Sequence, residues 1–106
     1  LFRSNPAKFA DTAIPLLLNE IIKMGAIKSR VLAKIAGGAQ MFNFMNATEI
    51  MRVGERNIEA VRKVLRQLDI KLVAEDTGGN YGRTVELDLA TGVLRVKTID
   101  KGEKLL

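Results

Sequence analysis

The sequence predicts one α/β domain, residues 1–106, in which helices pack on a mixed β-sheet. Three observations predict this class. Two segments carry apolar residues at helical spacing, an apolar run between them has the length of a strand, and the last third of the chain alternates apolar and polar residues. A composition of 47% apolar and 27% charged residues is typical of a globular domain, and 106 residues are enough for one hydrophobic core.

The first helix is predicted in ADTAIPLLLNEIIKMG, residues 10–25. Asp11 or Thr12 is expected to cap its start, and Gly25 is expected to end it. Pro15 is compatible with this helix because it falls near the first turn. Apolar side chains cover most of the circumference, so the helix is predicted to be well buried.

A unit of strand, helix and strand is predicted next. Its first strand is VLAKIA, residues 31–36, in which Lys34 is expected to lay its stem along the sheet with the ammonium group in water, rather than to act as a buried functional amine. The helix is predicted in residues 54–70, with Glu55 in its first turn, and the second strand in residues 70–76. A unit of this kind makes its two strands parallel.

The alternating residues 84–98 predict a β-hairpin. A two-residue turn at Thr91-Gly92 would place Leu87 opposite Val96 and keep Asp88 within the first strand. The predicted order of elements is therefore α-β-α-β-β-β.

Two residue types are absent, since the chain contains no cysteine and no histidine. Disulfides, thiolate metal sites and a thiol nucleophile are therefore excluded for these 106 residues, and the commonest general base is missing. No metal site and no cofactor are predicted.

The net charge of +5 raises the alternative of a basic nucleic-acid-binding domain. The cations are dispersed among carboxylates, and four phenylalanines and one tyrosine offer few rings on which bases could stack, so no nucleic-acid partner is predicted. No segment reaches the roughly 20 apolar residues of a membrane span, and none has the pattern of a cleaved leader. A cytoplasmic protein without membrane insertion is expected.

Three glycine-containing stretches lie at or beside the ends of elements: GGAQMF at 37–42, GERN at 54–57 and EDTGGNYGR at 75–83. In an open α/β sheet, sites form beyond the carboxyl ends of parallel strands. The first and third stretches leave their strands at that edge, which predicts a shared surface there.

Four segments, AKFADTAIPLL, AKIAGGAQMF, GERN and AEDTGGNYGRTVELDLATG, occur in this order and at this spacing. Together they resemble the CheD family of chemoreceptor glutamine deamidases, over nearly the whole chain. The resemblance implies an α/β sandwich and a chemotaxis enzyme that hydrolyses glutamine side-chain amides of receptors to glutamate, releasing ammonia. It also implies two partners, the helices of chemoreceptors (methyl-accepting chemotaxis proteins) and a CheC-type phosphatase.

The chain departs from that family in one respect. The family's catalytic cysteine, in a Gly-Ser-Cys context, its histidine and its threonine lie upstream of the motif that matches NPAKFADTAI, and none of that segment is present. The chain is therefore expected to be the downstream two-thirds of such a deamidase, with upstream strands missing. No catalytic residue is predicted in it, and it is expected to be inactive alone because the chemistry needs the thiolate and the imidazole.

The site residues are predicted in two groups. The first group would bind a substrate or partner helix, with glycines that let a backbone pass close and apolar side chains that contact it: Gly37, Gly38, Ala39, Met41 and Phe42. The second group would organise the loops, with Asn57 at a helix start and a pair bridging the glycine turn: Asn57, Asp76, Gly78, Gly79 and Arg83.

A non-catalytic interaction module, which binds a CheC-type phosphatase or a receptor helix, remains an alternative because it needs only the residues present. Salt dependence distinguishes it from a nucleic-acid binder, whose affinity falls steeply with ionic strength.

Overall fold

The computed structural model describes residues 9–39 and 47–106, with side chains described outside residues 47–52. Its elements are α1 (Ala10–Lys23), a 3-10 turn (Lys28–Arg30), β1 (Leu32–Gly37), α2 (Ala47–Gln67), β2 (Lys71–Thr77), β3 (Thr84–Leu87), β4 (Leu94–Thr98) and β5 (Gly102–Leu105). The α/β class and the predicted order of elements are confirmed. The 3-10 turn and the fifth strand are additions that the sequence pattern did not predict.

The strands form two sheets, so the prediction of one mixed sheet is wrong. β1 and β2 form a parallel pair, as expected from the strand-helix-strand unit, and β3, β4 and β5 form an antiparallel sheet in that order. The chain leaves the direction of β2 at Gly78 and Gly79, whose φ angles are 82° and 73°. This change of direction precedes β3, which pairs with β4.

Helix α1 ends as predicted but begins differently. Phe9 occupies the N-cap position in extended conformation, so the prediction that Asp11 or Thr12 caps the helix is wrong. Both residues lie inside the first turn, where the Thr12 hydroxyl donates to the Phe9 carbonyl over 3.1 Å. At the other end Gly25 has φ 110°, and its N–H donates to the Ile22 carbonyl over 2.9 Å, as in a Schellman C-cap.

Helix α2 begins seven residues before Gly54, the residue at which the sequence pattern predicted its start. The segment ATEIMRV at 47–53 contains no proline or glycine, so nothing in its backbone interrupts the helix. Glu55 therefore lies inside the helix and not in its first turn, so its predicted interaction with the helix N-terminus is wrong.

The core lies where α1 and α2 meet the parallel sheet. Leu18 of α1, Leu65 of α2 and Ile70 are buried together. Partly buried residues pack around them: Ile14, Ile21, Val31, Ala33, Ile35, Val61, Leu68 and Leu72. The prediction that α1 is well buried is wrong, since Leu17 on its surface is largely exposed. Within the described residues, no helix is long and apolar enough to span a membrane.

The hairpin of β3 and β4 exists, but its predicted register is wrong. Leu87 pairs with Leu94, two residues from the predicted partner. Asp88 begins the turn, because its carboxylate accepts the Ala90 N–H over 2.9 Å and its own N–H donates to the Val93 carbonyl over 2.9 Å. The hairpin loop therefore contains four residues, 89–92, instead of the two predicted at Thr91-Gly92.

Lys34 links the two sheets. Its Nζ donates to the carbonyl oxygens of Gly92 and Leu106, each over 2.7 Å. The expectation that its ammonium group lies in water is therefore wrong, since the half-buried side chain is held by two backbone carbonyls. The side chain joins β1 to the antiparallel sheet.

An ion pair joins α2 to β2 on the surface. Arg62 Nη2 lies 2.5 Å from Glu75 Oε1, and the Thr77 hydroxyl donates to the same carboxylate over 2.8 Å. The hydrogen bond from Arg62, assisted by that from Thr77, lowers the pKa of the Glu75 carboxyl below its ordinary value.

The Glu75 carboxylate is expected to stabilise the fold at neutral pH and to lose this effect in acid. Because its folded-state pKa is depressed, the contribution is present above the unfolded-state pKa and disappears as the pH falls through the folded-state pKa. Glu75→Gln should therefore lower the free energy of unfolding at neutral pH and have little effect in strong acid, as measured by urea denaturation across the acid range. An unchanged acid profile in Glu75→Gln would contradict the prediction.

Candidate functional site

The carboxyl ends of β1 and β2 lie side by side, with Gly37 opposite Thr77 in the register of the parallel pair. The two strand ends are joined by the Gly78 N–H, which donates to the Gly37 carbonyl over 2.9 Å. A hollow of about 390 Å³ opens at this edge, between β1, the end of β2 and α2. It is lined by Lys34, Ile35, Ala36, Gly37, Gly38, Asn57, Ile58, Val61 and Thr77.

The chain's own helix α2 approaches the strand end at backbone distance. A Cβ atom on Gly38 would lie 2.5 Å from Ile58 Cγ1, and a Cβ atom on Gly54 would collide with the Gly38 carbonyl oxygen. Gly54 is therefore required by the backbone of the strand end, whereas glycine at Gly38 is favoured by its φ of 69° and by its closeness to the Ile58 side chain. Gly37 differs, since a Cβ atom there would have no neighbour within 4 Å.

Arg83 lies at the centre of a buried polar cluster beside this edge. Its side chain is 2% exposed, and its Nε lies 3.4 Å from Oδ2 of Asp76, whose side chain is 10% exposed. Arg83 Nη2 donates to the Gly78 carbonyl over 2.9 Å, and Nη1 donates to the Gly37 carbonyl over 3.4 Å. One guanidinium group thus contacts the backbone at the ends of both parallel strands.

The same cluster reaches the antiparallel sheet. The Arg83 guanidinium carbon lies 4.4 Å from the centre of the Tyr81 ring, a cation–π contact. Lys101, in the turn between β4 and β5, places its Nζ 5.3 Å from the same ring. Lys104 of β5 places its Nζ 3.5 Å from Asp76 Oδ1. We call Asp76, Tyr81, Arg83 and Lys104 the arginine cluster.

The predicted site residues fall into separate places. Asp76, Gly78, Gly79 and Arg83 lie in or beside one turn, where a Cβ atom on Gly79 would lie 2.6 Å from the Tyr81 ring. Asn57 is exposed in the interior of α2, so its predicted position at a helix start is wrong, because the helix begins ten residues earlier.

The other predicted site residues lie at the end of a described segment or outside the described residues. Ala39 is half-buried beside Gly38. Met41 and Phe42 lie outside the described residues. The binding role predicted for Gly37, Gly38, Ala39, Met41 and Phe42 stays a prediction.

Two members of the arginine cluster were not singled out from the sequence. Tyr81 lies in the glycine-containing stretch at 75–83, but nothing in its spacing indicates the contact with Arg83. Lys104 belongs to β5, and GEKL has no alternation of apolar and polar residues that would predict a strand.

The chemistry available at this edge is that of hydrogen bonding, ion pairing and apolar contact. The described residues contain no group of three or more acidic side chains that could hold a metal ion. With neither cysteine nor histidine in the chain, these 106 residues cannot form a thiolate-imidazole pair.

Comparison with known proteins decides the family. The sequence model described as CheD chemotactic sensory transduction matches residues 2–98. The chain belongs to the CheD family. The resemblance predicted from the four motifs is thereby confirmed.

The CheD relatives are longer than this chain. A probable chemoreceptor glutamine deamidase CheD of Syntrophomonas wolfei is 56% identical over 103 residues, covering 97% of this chain and 64% of the relative. One of Desulfitobacterium hafniense is 51% identical over 102 residues, covering 96% and 64%. A chemoreceptor glutamine deamidase CheD of Halalkalibacterium halodurans is 50% identical over 100 residues, covering 94% and 62%. This CheD chain thus spans slightly less than two thirds of the length of these relatives.

Gly54→Ala should destabilise the CheD chain although Gly54 lies within a helix. In an exposed helix this substitution adds about 1 kcal/mol of stability, but here the new methyl group meets the Gly38 carbonyl, which should lower the free energy of unfolding by about 1–3 kcal/mol. Asn57→Ala, at an exposed position of the same helix, is the matched control and should stabilise by about 0.5 kcal/mol. Chemical denaturation of both variants measures the difference, and stabilisation by Gly54→Ala would show that α2 does not approach Gly38 this closely.

Arg83→Ala should lower the free energy of unfolding by about 3 kcal/mol, because among the described residues it leaves the buried Asp76 carboxylate with one ion pair, to the largely exposed Lys104. Arg95→Ala is the control, since Arg95 pairs with Glu86 on the exposed face of the antiparallel sheet over 2.8 Å. The control should change stability by less than about 1 kcal/mol. Urea denaturation measures both variants. If the free energy of unfolding falls equally in the two, the arginine cluster contributes no more to stability than an exposed ion pair.

Proposed function

We propose that the protein from which this chain comes is a chemoreceptor glutamine deamidase. The observation that supports this most directly is an identity of 50% or more, over nearly the whole chain, to relatives that carry this name. In the proposed reaction, water replaces the amide nitrogen of a receptor glutamine. The C–N bond breaks, ammonia leaves, and a glutamate side chain remains.

In the proposed enzyme, the catalytic residues and the binding surface lie in different parts of the polypeptide. The 106 residues contain neither cysteine nor histidine, so both are assigned to the upstream part of the longer protein. There a thiolate attacks the amide carbon, an imidazolium group protonates the departing ammonia, and water cleaves the resulting thioester. The chain described here supplies the scaffold and a binding surface.

We assign the binding surface to the edge where β1 and β2 end. The hollow there has apolar walls, formed in part by Ile35 and Ile58, which suit the apolar side of a receptor helix. The space beside Gly37 is open, so a helix backbone can come close to it. Met41 and Phe42 follow Gly37 in the sequence by four and five residues, and we propose that they contact the receptor helix or the CheC-type phosphatase.

The ion pairs of the arginines disfavour the alternative of a nucleic-acid-binding domain. Arg62, Arg83 and Arg95 each pair with a carboxylate within the chain, which reduces the positive charge offered to a phosphate backbone. The proposed protein acts in the cytoplasm, as expected from the sequence, on chemoreceptor helices.

The 106-residue chain alone should not deamidate receptors, whereas the complete polypeptide should. Each is incubated with the cytoplasmic fragment of a chemoreceptor, and intact-mass spectrometry follows the increase that accompanies conversion of an amide to a carboxylic acid. The complete polypeptide with its upstream cysteine replaced by alanine is the matched control and should be inactive.

Three outcomes of this assay are informative. Turnover by the 106-residue chain would contradict the assignment of the nucleophile to the upstream part. Turnover by the cysteine-to-alanine control would contradict the thiolate mechanism. Receptor binding without turnover by the complete polypeptide would replace the deamidase proposal by the non-catalytic interaction module.

A further inference from the structure

Two polar residues, Thr77 and Asn57, line the hollow from two of its walls. Thr77 lies at the end of β2, where it shares a face of the sheet with Glu75, two residues earlier. Arg62 of α2 contacts Glu75, so this face is the one that α2 covers. Asn57 lies one turn of α2 before Val61, which packs against the core, and therefore on the same side of the helix.

The Thr77 hydroxyl is held as a hydrogen-bond acceptor for the hollow. It donates its proton to Glu75 Oε1 over 2.8 Å. The Glu75 carboxylate has no proton to return at neutral pH, because its hydrogen bond with Arg62 lowers the pKa of the carboxyl below its ordinary value. None of the described residues donates to the Thr77 oxygen, so its lone pairs remain available to a ligand.

Asn57 supplies a carboxamide that is free to bind a ligand. The residue is exposed in the interior of α2, and none of the described residues forms a hydrogen bond with its side chain. Asparagine is one of the poorer helix formers, so helix stability does not explain its place there. Its oxygen accepts and its nitrogen donates, as the two polar atoms of a glutamine side chain do.

The charged side chains around the hollow favour a neutral ligand over an anion. Arg62 is held between Glu59 and Glu75, so one guanidinium group faces two carboxylates. Lys34 lines the hollow, but its ammonium group donates to two carbonyls and links β1 to the antiparallel sheet. The buried Arg83 has a carboxylate partner of its own. No unpaired cation among these side chains is therefore offered to a carboxylate ligand.

We propose that the hollow is a subsite for the side-chain amide of a receptor glutamine, and that Thr77 and Asn57 distinguish this amide from a glutamate carboxylate. A glutamine amide offers two N–H donors and one carbonyl acceptor, which match the acceptor of Thr77 and both polar atoms of Asn57. A glutamate carboxylate has no donor, so it leaves the two protein acceptors unpaired. The inference rests on the proposed function and adds to it the groups that recognise the substrate.

Binding measurements on the complete polypeptide test the subsite, with its upstream cysteine replaced by alanine so that no turnover occurs. The ligands are the cytoplasmic fragment of a chemoreceptor and a variant of that fragment in which the surface glutamines of the helices are replaced by glutamate. Isothermal titration calorimetry should give a dissociation constant about ten-fold lower for the glutamine form. The net charge of +5 on this chain attracts the glutamate form instead, so long-range attraction does not produce the expected preference.

Thr77→Val and Asn57→Ala should each reduce the preference to about three-fold or less, by weakening the binding of the glutamine form. Thr77→Ser retains a hydroxyl and should keep the preference. Thr84→Val is the matched control, because Thr84 is exposed on β3 and does not line the hollow, and it should change neither dissociation constant.

Glu75 is assigned a positioning role, since it accepts the Thr77 proton. Glu75→Ala should strengthen the binding of the glutamate form about three-fold, because the freed hydroxyl can donate to a carboxylate. The affinity for the glutamine form should stay nearly unchanged, a split that a general loss of stability does not produce. Adding Thr77→Val should abolish the gain. A gain that persists would assign the discrimination to the unpaired Arg62 and overturn the role of Thr77.

Equal affinity of the unsubstituted protein for both receptor forms, or binding of neither form, would overturn the subsite. So would an unchanged preference in both Thr77→Val and Asn57→Ala. A loss of preference in Thr77→Ser as large as that in Thr77→Val would overturn the role of the hydroxyl. The deamidase proposal fails separately, if the complete polypeptide with its cysteine binds the receptor without turnover while these binding preferences are as expected, so the two failures are distinguishable.

Discussion

The buried guanidinium of Arg83 is the constraint on which the arrangement of the two sheets depends. A charged group removed from water is tolerated only when it is paired and hydrogen-bonded. Asp76 supplies the opposite charge, and the carbonyls of Gly37 and Gly78 accept two of the N–H groups. Because these acceptors lie at the ends of β1 and β2, satisfying the guanidinium holds that edge of the parallel sheet against the start of β3. Lys104 extends the same cluster to β5.

The position of α2 follows from that fixed edge. The residue after Gly37 packs directly against the helix, with the Gly38 backbone against that of Gly54 and close to the Ile58 side chain. A contact between two backbones cannot adjust by a change of rotamer, so the distance between the strand end and α2, and with it the size of the hollow, is closely determined. Lys34 of β1 adds a second link between the sheets, through the carbonyl of Gly92.

The hollow at the carboxyl ends of the parallel strands is bounded by contacts that link both strand ends. The Gly78 N–H donates to the Gly37 carbonyl, and Arg83 donates to the same carbonyl. Under the function that we propose, this edge is the surface that binds a receptor helix.

The sequence by itself determined the α/β class, the family and the absence of thiol and imidazole chemistry, because these depend on composition, periodicity and the order of motifs. Tertiary structure decided the features that depend on individual contacts. The carboxylate of Asp88 captured the Ala90 N–H and lengthened the hairpin turn, which moved the register. The strand β5 formed against β4 although its own residues lack a strand pattern. The need for glycine at Gly54 came from the end of β1, which is distant in sequence, and periodicity within one segment carries no information about such an approach.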